Sequence, residues 1–264
     1  MKIVIVVPAR YGSSRFPGKP MALVAGRSLL HRTWAIAKAV DNVAGVYVAT
    51  DDERIAKHAQ GFGAAVLMTS SQCRTGTDRV FEAAKMLDPR PDAVINLQGD
   101  AVLTPPWVVQ AMVDAFHAEA KLALVTPAVR LSLAQWAELK EMKARAPSSG
   151  TLVTFDRQGD ALYFSKAIIP FLRDPGQDPP PLYRHIGIYG YAFDTLVRLS
   201  GLDETPLEKA EQLEQLRALE NRIPIRVVVV DYRGRTHWSV DVPADIGKVE
   251  EIIAREGELA TVKT

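Results

Sequence analysis

Short apolar runs alternate with segments of helical period through the first half of the chain. KIVIVV, at the start, reads as a buried strand. SLLHRTWAIAKAV places Leu29, Leu30, Trp34, Ile36, Ala37 and Val40 at helical spacing. GVYVAT is a second strand, and DERIAKHAQGFG a helix closed by Gly61 or Gly63. AAVLM is a third strand, and TDRVFEAAKML a helix with Thr77 or Asp78 at its cap. DAVINLQGD is a fourth strand, and PPWVVQAMVDAFHAEA a helix with prolines at its start. Nearly all-apolar strands separated by helices imply a parallel sheet covered on both faces. The expected fold class is therefore α/β, a Rossmann-like doubly wound, mostly parallel sheet. Such sheets bind ligands beyond the carboxyl ends of their strands. The loop after Val7, the loop after Met68 and the QGD after Leu97 would share that edge.

The middle of the chain changes character. KEMKARAPSSG is a helix end and loop, and GTLVTFDRQGDALYFSK reads as two strands joined around Gly159. RDPGQDPPPLY is proline-rich and must be a loop. RHIGIYGYAF reads as a further strand, and PLEKAEQLEQLRALEN as one amphipathic helix carrying Leu207, Leu213, Leu216 and Leu219. PIRVVVVDYR is an apolar strand, and VPADIGKVEEIIARE the closing helix. The pattern shows neither internal repeat nor low-complexity tract.

Composition narrows the function classes. In 264 residues, 47% hydrophobic, Lys+Arg number 32 against 31 Asp+Glu. That balance sets up no global field for nucleic acid or an anionic membrane, so any anion site is local. Cys73 is the single cysteine, which excludes an intrachain disulfide and a cysteine-based zinc cluster. The five apolar residues before Pro8 are too few for a signal-peptide core. No apolar run approaches the roughly 20 residues that span a bilayer. The expectation is a soluble cytoplasmic protein.

The chemistry begins where the first strand ends. PARYGSSRFPGKP combines Gly12 and Gly18 with Ser13 and Ser14 and with three cations, Arg10, Arg15 and Lys19. Glycines let main-chain N–H groups approach an anion, and fixed Arg and Lys clamp phosphate oxygens. The spacing is neither that of a Walker loop, since Pro20 stands where Ser or Thr is needed, nor GxGxxG, which disfavours a dinucleotide. In NLQGDA, Asp100 is either a turn residue or a hard oxygen ligand for Mg²⁺. In HWSVDVPADI, Asp241 is either a helix cap or the second such ligand, and Asp245 is read as helix electrostatics. A phosphate loop with two acids forms a metal-assisted phosphoryl or nucleotidyl transfer site.

The ordered segments VVPARYGSSRFPGKPM, VATDD, RTGTDRV, NLQGDA, GDALYFSKAIIPF, RHIGIYGY, PLEKAEQLEQLRAL and VDVPADI resemble those of the 3-deoxy-manno-octulosonate (Kdo) cytidylyltransferases, the CMP-Kdo synthetase family, over nearly the whole chain. The resemblance implies a fold of the nucleotide-diphospho-sugar transferase type. It also implies a single nucleotidyltransferase domain over 1–264, with a smaller α+β lobe at about 125–220 for acceptor binding and homodimerisation. CTP and a sugar acid would be the substrates, Mg²⁺ the cofactor, and lipopolysaccharide biosynthesis the setting. The anomeric hydroxyl of the acid attacks the α-phosphorus and pyrophosphate leaves. Carried over by motif, Arg10, Lys19, Asp100 and Asp241 are catalytic, and the two aspartates hold the metal. Pro8, Ala9, Arg10, Gly12, Ser13, Ser14, Arg15, Lys19, Arg74, Gly76, Thr77 and Gln98 bind the nucleotide. Gln98, Lys166, Arg184, His185, Tyr189, Glu214 and Gln215 bind the acceptor.

The chain departs from the family pattern in two places. QGDAV stands where the family usually has QGDEP, so Ala101 lacks a polar side chain and Val102 replaces a stiffening proline. RGRTHWSVDVP stands where a short glycine-rich approach is commoner, which puts His237 and Trp238 near the second acid, to pack there. These differences leave the acceptor open: Kdo, an 8-amino derivative, another keto-deoxy acid or a phosphonate. A CTP-binding regulator without catalysis is the reading from another class.

Overall fold

The computed structural model describes residues 1–12, 16–173 and 179–260, and the chain divides into two compact units. The first comprises Met1–Ala118 and Tyr232–Thr264, the second Glu119–Asp231.

In the first unit, β1 (Ile3–Ala9) is buried at every position, so the sheet is covered on both faces there. Burying each large aliphatic residue contributes about 1.5–3 kcal/mol relative to exposure. After a 3₁₀ turn at Lys19–Met21 come a small antiparallel hairpin, β2 (Leu23–Val24) and β3 (Arg27–Ser28), and helix α1 (Leu29–Lys38). The Ser28 hydroxyl accepts the His31 N–H and starts that helix. Next are β4 (Gly45–Thr50), α2 (Glu53–Gly61), β5 (Ala65–Met68), α3 (Gly76–Lys85), β6 (Ala93–Asn96) and α4 (Pro106–Ala118). The strands run parallel in the order β5, β4, β1, β6. Their carboxyl ends consequently fall on one edge, as the alternation of the sequence predicts.

In the second unit, β7 (Leu124–Arg130) is followed by α5 (Leu133–Arg145), β8 (Leu152–Phe155) and β9 (Ala161–Ser165). The predicted strand RHIGIYGYAF is instead β10 (Tyr183–His185) and β11 (Tyr189–Ala192), and Phe193 already opens α6 (Phe193–Ser200). The predicted single helix PLEKAEQLEQLRALEN is likewise two, α7 (Pro206–Glu211) and α8 (Gln215–Glu220). Gln212 between them is left-handed at φ 52°. Pairings here are antiparallel except for β12 (Ile225–Val230), which lies parallel to β7.

The chain then re-enters the first unit as an irregular strap, residues 232–241, and ends in α9 (Asp245–Glu256). Val240, Val249 and Ile252 close a core cluster with Val24, Leu29, Val102 and Leu103. Val102, read from sequence as a lost stiffening proline, is thus a core residue. No helix among the described residues is long and apolar enough to cross a membrane.

Candidate active site

A cavity of about 210 Å³ opens in the first unit at the carboxyl edge of its sheet. Pro8 and Ala9 from the end of β1 line it, with Arg10, Lys19, Gly76, Gln98, Gly99, Asp100 and Asp241. Thr75, Arg79 and Pro20 complete the lining.

The cationic wall is the loop after β1. Arg10 is exposed at its start. Gly18, at φ 72°, turns the chain into the 3₁₀ turn that carries Lys19. The Gly18 N–H donates to the Tyr11 carbonyl at 2.9 Å and closes the loop, and the Arg54 guanidinium lies 3.4 Å from the centre of the Tyr11 ring. Ser13, Ser14 and Arg15 lie outside the described residues; Gly12 is exposed and absent from the cavity lining.

The floor is the turn after β6. The Ala101 N–H donates to the Gln98 carbonyl at 3.0 Å, which turns Asp100 toward Lys19; its Oδ2 lies 2.8 Å from Nζ. A Cβ at Gly99 would stand 3.0 Å from the Pro8 carbonyl oxygen, so any larger residue there crowds the end of β1.

The third wall is the start of α3. Its cap is Thr75, not Thr77 or Asp78. The Thr75 hydroxyl accepts the Asp78 N–H, and the Asp78 carboxylate accepts the Thr75 and Arg74 N–H groups. The helix therefore begins at Gly76, which turns Thr77 inward as a buried residue and leaves the Arg74 side chain exposed. Neither lines the cavity; Thr75 and Gly76 do. Arg79 also lines it, and sequence reading missed it. It is only 3% exposed, with Nη1 donating to Thr69 Oγ1 at 2.6 Å and ion-paired with Asp51 at 3.1 Å. Its signal was a cation on the helix face that also buries Val80, Ala83 and Ala84.

Asp241 arrives on the strap. The cap residue of α9 is Ala244, so Asp241 is not a helix cap. Asp245 Oδ2 accepts the N–H groups of Asp241 at 2.8 Å and Val242 at 2.9 Å, and Oδ1 accepts Trp238 Nε1–H at 3.3 Å. Burial pushes the Asp245 carboxyl up, but these hydrogen bonds and the charge of Lys19 outweigh it and hold the group below its ordinary value. Trp238 packs on the core cluster, with Lys248 Nζ 3.5 Å from its ring centre, and His237 meets Tyr232 edge-on.

The donor set fits a small hard cation. Among the described residues no group of three or more His, Cys, Asp or Glu could hold a metal ion. Two carboxylates on one cavity suit Mg²⁺, which takes one or two and fills its octahedron from phosphates and water.

The remaining sequence-predicted residues belong to the second unit. His185 is buried, 2.9 Å from Thr126 Oγ1, with Phe164 and Tyr189 against its ring. Burial, with Tyr191 and Glu214 adding, raises the Tyr189 hydroxyl well above its ordinary value, so it stays a neutral donor. Gln215, buried, opens α8 directly after Glu214. The Lys166 N–H donates to Glu211 at 2.9 Å, and the Lys166 carbonyl accepts from Lys143. Arg184 pairs in register with Val129 of β7.

The cytidylyltransferase family model matches residues 4–225. A 3-deoxy-manno-octulosonate cytidylyltransferase of Maricaulis maris is 51% identical, with 98% of this chain and 100% of that protein covered. The mitochondrial one of Arabidopsis thaliana is 38% identical over 96% of this chain and 83% of its own length. A solved CMP:2-keto-3-deoxy-manno-octonic acid synthetase complexed with CTP superposes with a TM-score of 0.86 at 36% identity, covering 97% of this chain and 100% of that one. A cytidylyltransferase from Leptospira borgpetersenii, at 17% identity and a TM-score of 0.59, shares the fold. With a matching family model over most of its length and relatives this similar end to end, the chain belongs to the cytidylyltransferases, among the 3-deoxy-manno-octulosonate enzymes.

Proposed function

We propose that the chain transfers CMP from CTP to the anomeric hydroxyl of Kdo or a close analogue, releasing pyrophosphate, with Mg²⁺ as cofactor. One observation carries the reading: Arg10, Lys19, Asp100 and Asp241, far apart in sequence, line a single cavity. The triphosphate lies along the cationic wall, Arg10 as a fork and Lys19 as a point charge. Asp100 and Asp241 hold the Mg²⁺, which when bound neutralises charge on the phosphate oxygens. Lys19, now paired with Asp100, stays within reach of both phosphate and carboxylate. A bond forms from the anomeric oxygen to the α-phosphorus as the bond to pyrophosphate breaks, and the hydroxyl proton passes to solvent. Pro8, Ala9, Gly76 and Gln98 shape the nucleotide's surroundings, together with Thr75 and Arg79 in place of Thr77 and Arg74.

The second unit supplies the acceptor's partners in this reading: Lys166 and Arg184 for its carboxylate, His185, Tyr189, Glu214 and Gln215 for its hydroxyls. We propose the same unit, 119–231, as the lobe through which two copies pair, in the setting of lipopolysaccharide assembly. Light scattering that finds a monomer at micromolar concentration defeats the pairing.

The test is a pyrophosphate-release screen of CTP against UTP, and of Kdo against 8-amino-Kdo, sialic acid and small phosphonates. Release with CTP and Kdo, dependent on Mg²⁺, is the expected result. Release only with another acid reassigns the acceptor. CTP binding by calorimetry with no release from any acceptor overturns catalysis in favour of a regulator.

A further inference from the structure

The strap that carries Asp241 has no regular secondary structure, and its backbone cannot place a carboxylate through strand pairing. What fixes it is α9. The Glu256 carboxylate accepts the Thr236 N–H at 2.9 Å and its hydroxyl at 2.6 Å, and Arg235 Nη1 donates to the Gly257 carbonyl at 3.0 Å. Nearest the cavity, Asp245 receives Trp238 on one oxygen and the backbone of Asp241 and Val242 on the other, while the Ser239 hydroxyl lies 3.4 Å from Asp241 Oδ2. The Asp245 N–H in turn donates to the Val242 carbonyl at 3.0 Å, so the turn is tied in both directions. Trp238 is pinned by the core cluster beneath it and by Lys248 above its ring. An indole so fixed sets the plane of the Asp245 carboxylate, and that carboxylate sets the position of the Asp241 main chain.

We propose that Asp245 and Trp238 are positioning residues that aim the Asp241 carboxylate at the divalent cation shared with the nucleotide. The proposal rests on the reading of Asp241 as a metal ligand. Neither residue lines the cavity, so in this reading they act through Asp241. Sequence reading took Asp245 for helix electrostatics; a purely electrostatic role requires neither the Trp238 donor nor the Asp241 N–H.

The test is calorimetric CTP binding, with Mg²⁺ and with EDTA, in wild type, Asp245→Ala, Trp238→Phe and Asp241→Asn. The gain in CTP affinity that Mg²⁺ gives to wild type falls about tenfold in Asp245→Ala, the scale on which removing a ligand's supporting partner weakens metal binding. Trp238→Phe keeps a smaller aromatic ring on the cluster and loses the N–H donor, so the gain falls less than in Asp245→Ala, about threefold, below the tenfold scale of a direct supporting partner. Affinity in EDTA stays at the wild-type value in both. A Mg²⁺ gain unchanged in both variants overturns the proposal, as does an equal loss with and without metal. If Asp245→Ala does not fold, Trp238→Phe alone decides between the same outcomes. Asp241→Asn separates the two levels of argument. If it keeps the full Mg²⁺ gain, the metal reading of Asp241 fails and the proposal fails with it. If it loses the gain while Asp245→Ala and Trp238→Phe keep it, only the positioning role fails.

Discussion

The two aspartates of the cavity reach it by opposite means. Asp100 is delivered by backbone: Leu97 N–H pairs with the Val6 carbonyl, Ala101 with Gln98, Thr104 with Ala101. Asp241 is delivered by side chains of α9 gripping an irregular strap. Backbone pairing is indifferent to which side chains surround it but intolerant of an added Cβ at a close approach. Side-chain tethers invert that sensitivity. The same chemical group therefore fails by different routes on the two sides of one site.

The largest expected effect treats both acids alike. Asp100→Asn and Asp241→Asn each lower the rate of pyrophosphate release about 10²–10³-fold, the usual cost of losing a charge-stabilising group. Wild-type turnover in either variant removes that residue from the metal site. Gly99→Ala then separates the two sides. Its Cβ meets a backbone oxygen that cannot swing away, so overpacking costs about 1–3 kcal/mol by denaturant unfolding. On the strap, Gly234→Ala has open space around it and strains only its φ of 78°, which costs roughly 1 kcal/mol. A smaller loss at Gly99 than at Gly234 erases the contrast.

The smallest effect concerns pH. Burial raises the Glu256 carboxyl, but Thr236 and Arg255 outweigh it and leave the value depressed. A depressed carboxyl stabilises the fold above its unfolded value, about 4.3, and that contribution fades as pH falls through the folded value. Wild type thus melts higher than Glu256→Gln at about pH 7, and the gap narrows toward about pH 3. A gap that widens in acid contradicts the assignment.

Much of this was legible in residue order because parallel strands between helices leave a periodic trace. The edge that gathers Pro8, Gln98 and Asp100 follows from strand direction alone. The failures are tertiary. PLEKAEQLEQLRALEN has the period of one helix, yet Gln212 breaks it, and the break brings Arg217 Nε within 2.8 Å of Glu208. Nine residues of unbroken helix would set their Cα atoms about 13.5 Å apart along the axis. Thr75 caps α3 because Asp78 reciprocates three residues on, where Thr77 would meet only Val80. Arg79 stayed hidden because a cation on an apolar face is legible only once Asp51 and Thr69 are seen beside it. The tethering of the strap left no periodic signal, since the partners of its outer half are single groups 20 and 22 residues away.

The first unit is discontinuous, and this gives its assembly a direction in time. A ribosome makes the hairpin β2–β3, then the whole second unit, before it makes the segment that completes the first. Until then Val24, Leu29, Val102 and Leu103 lack Val240, Val249 and Ile252, and Arg32 and the Ala25 N–H lack Glu258 and Glu250. The nascent protein waits with an uncovered apolar face, and a message truncated before codon 240 leaves a chain that keeps its cationic loop but never acquires its second acid.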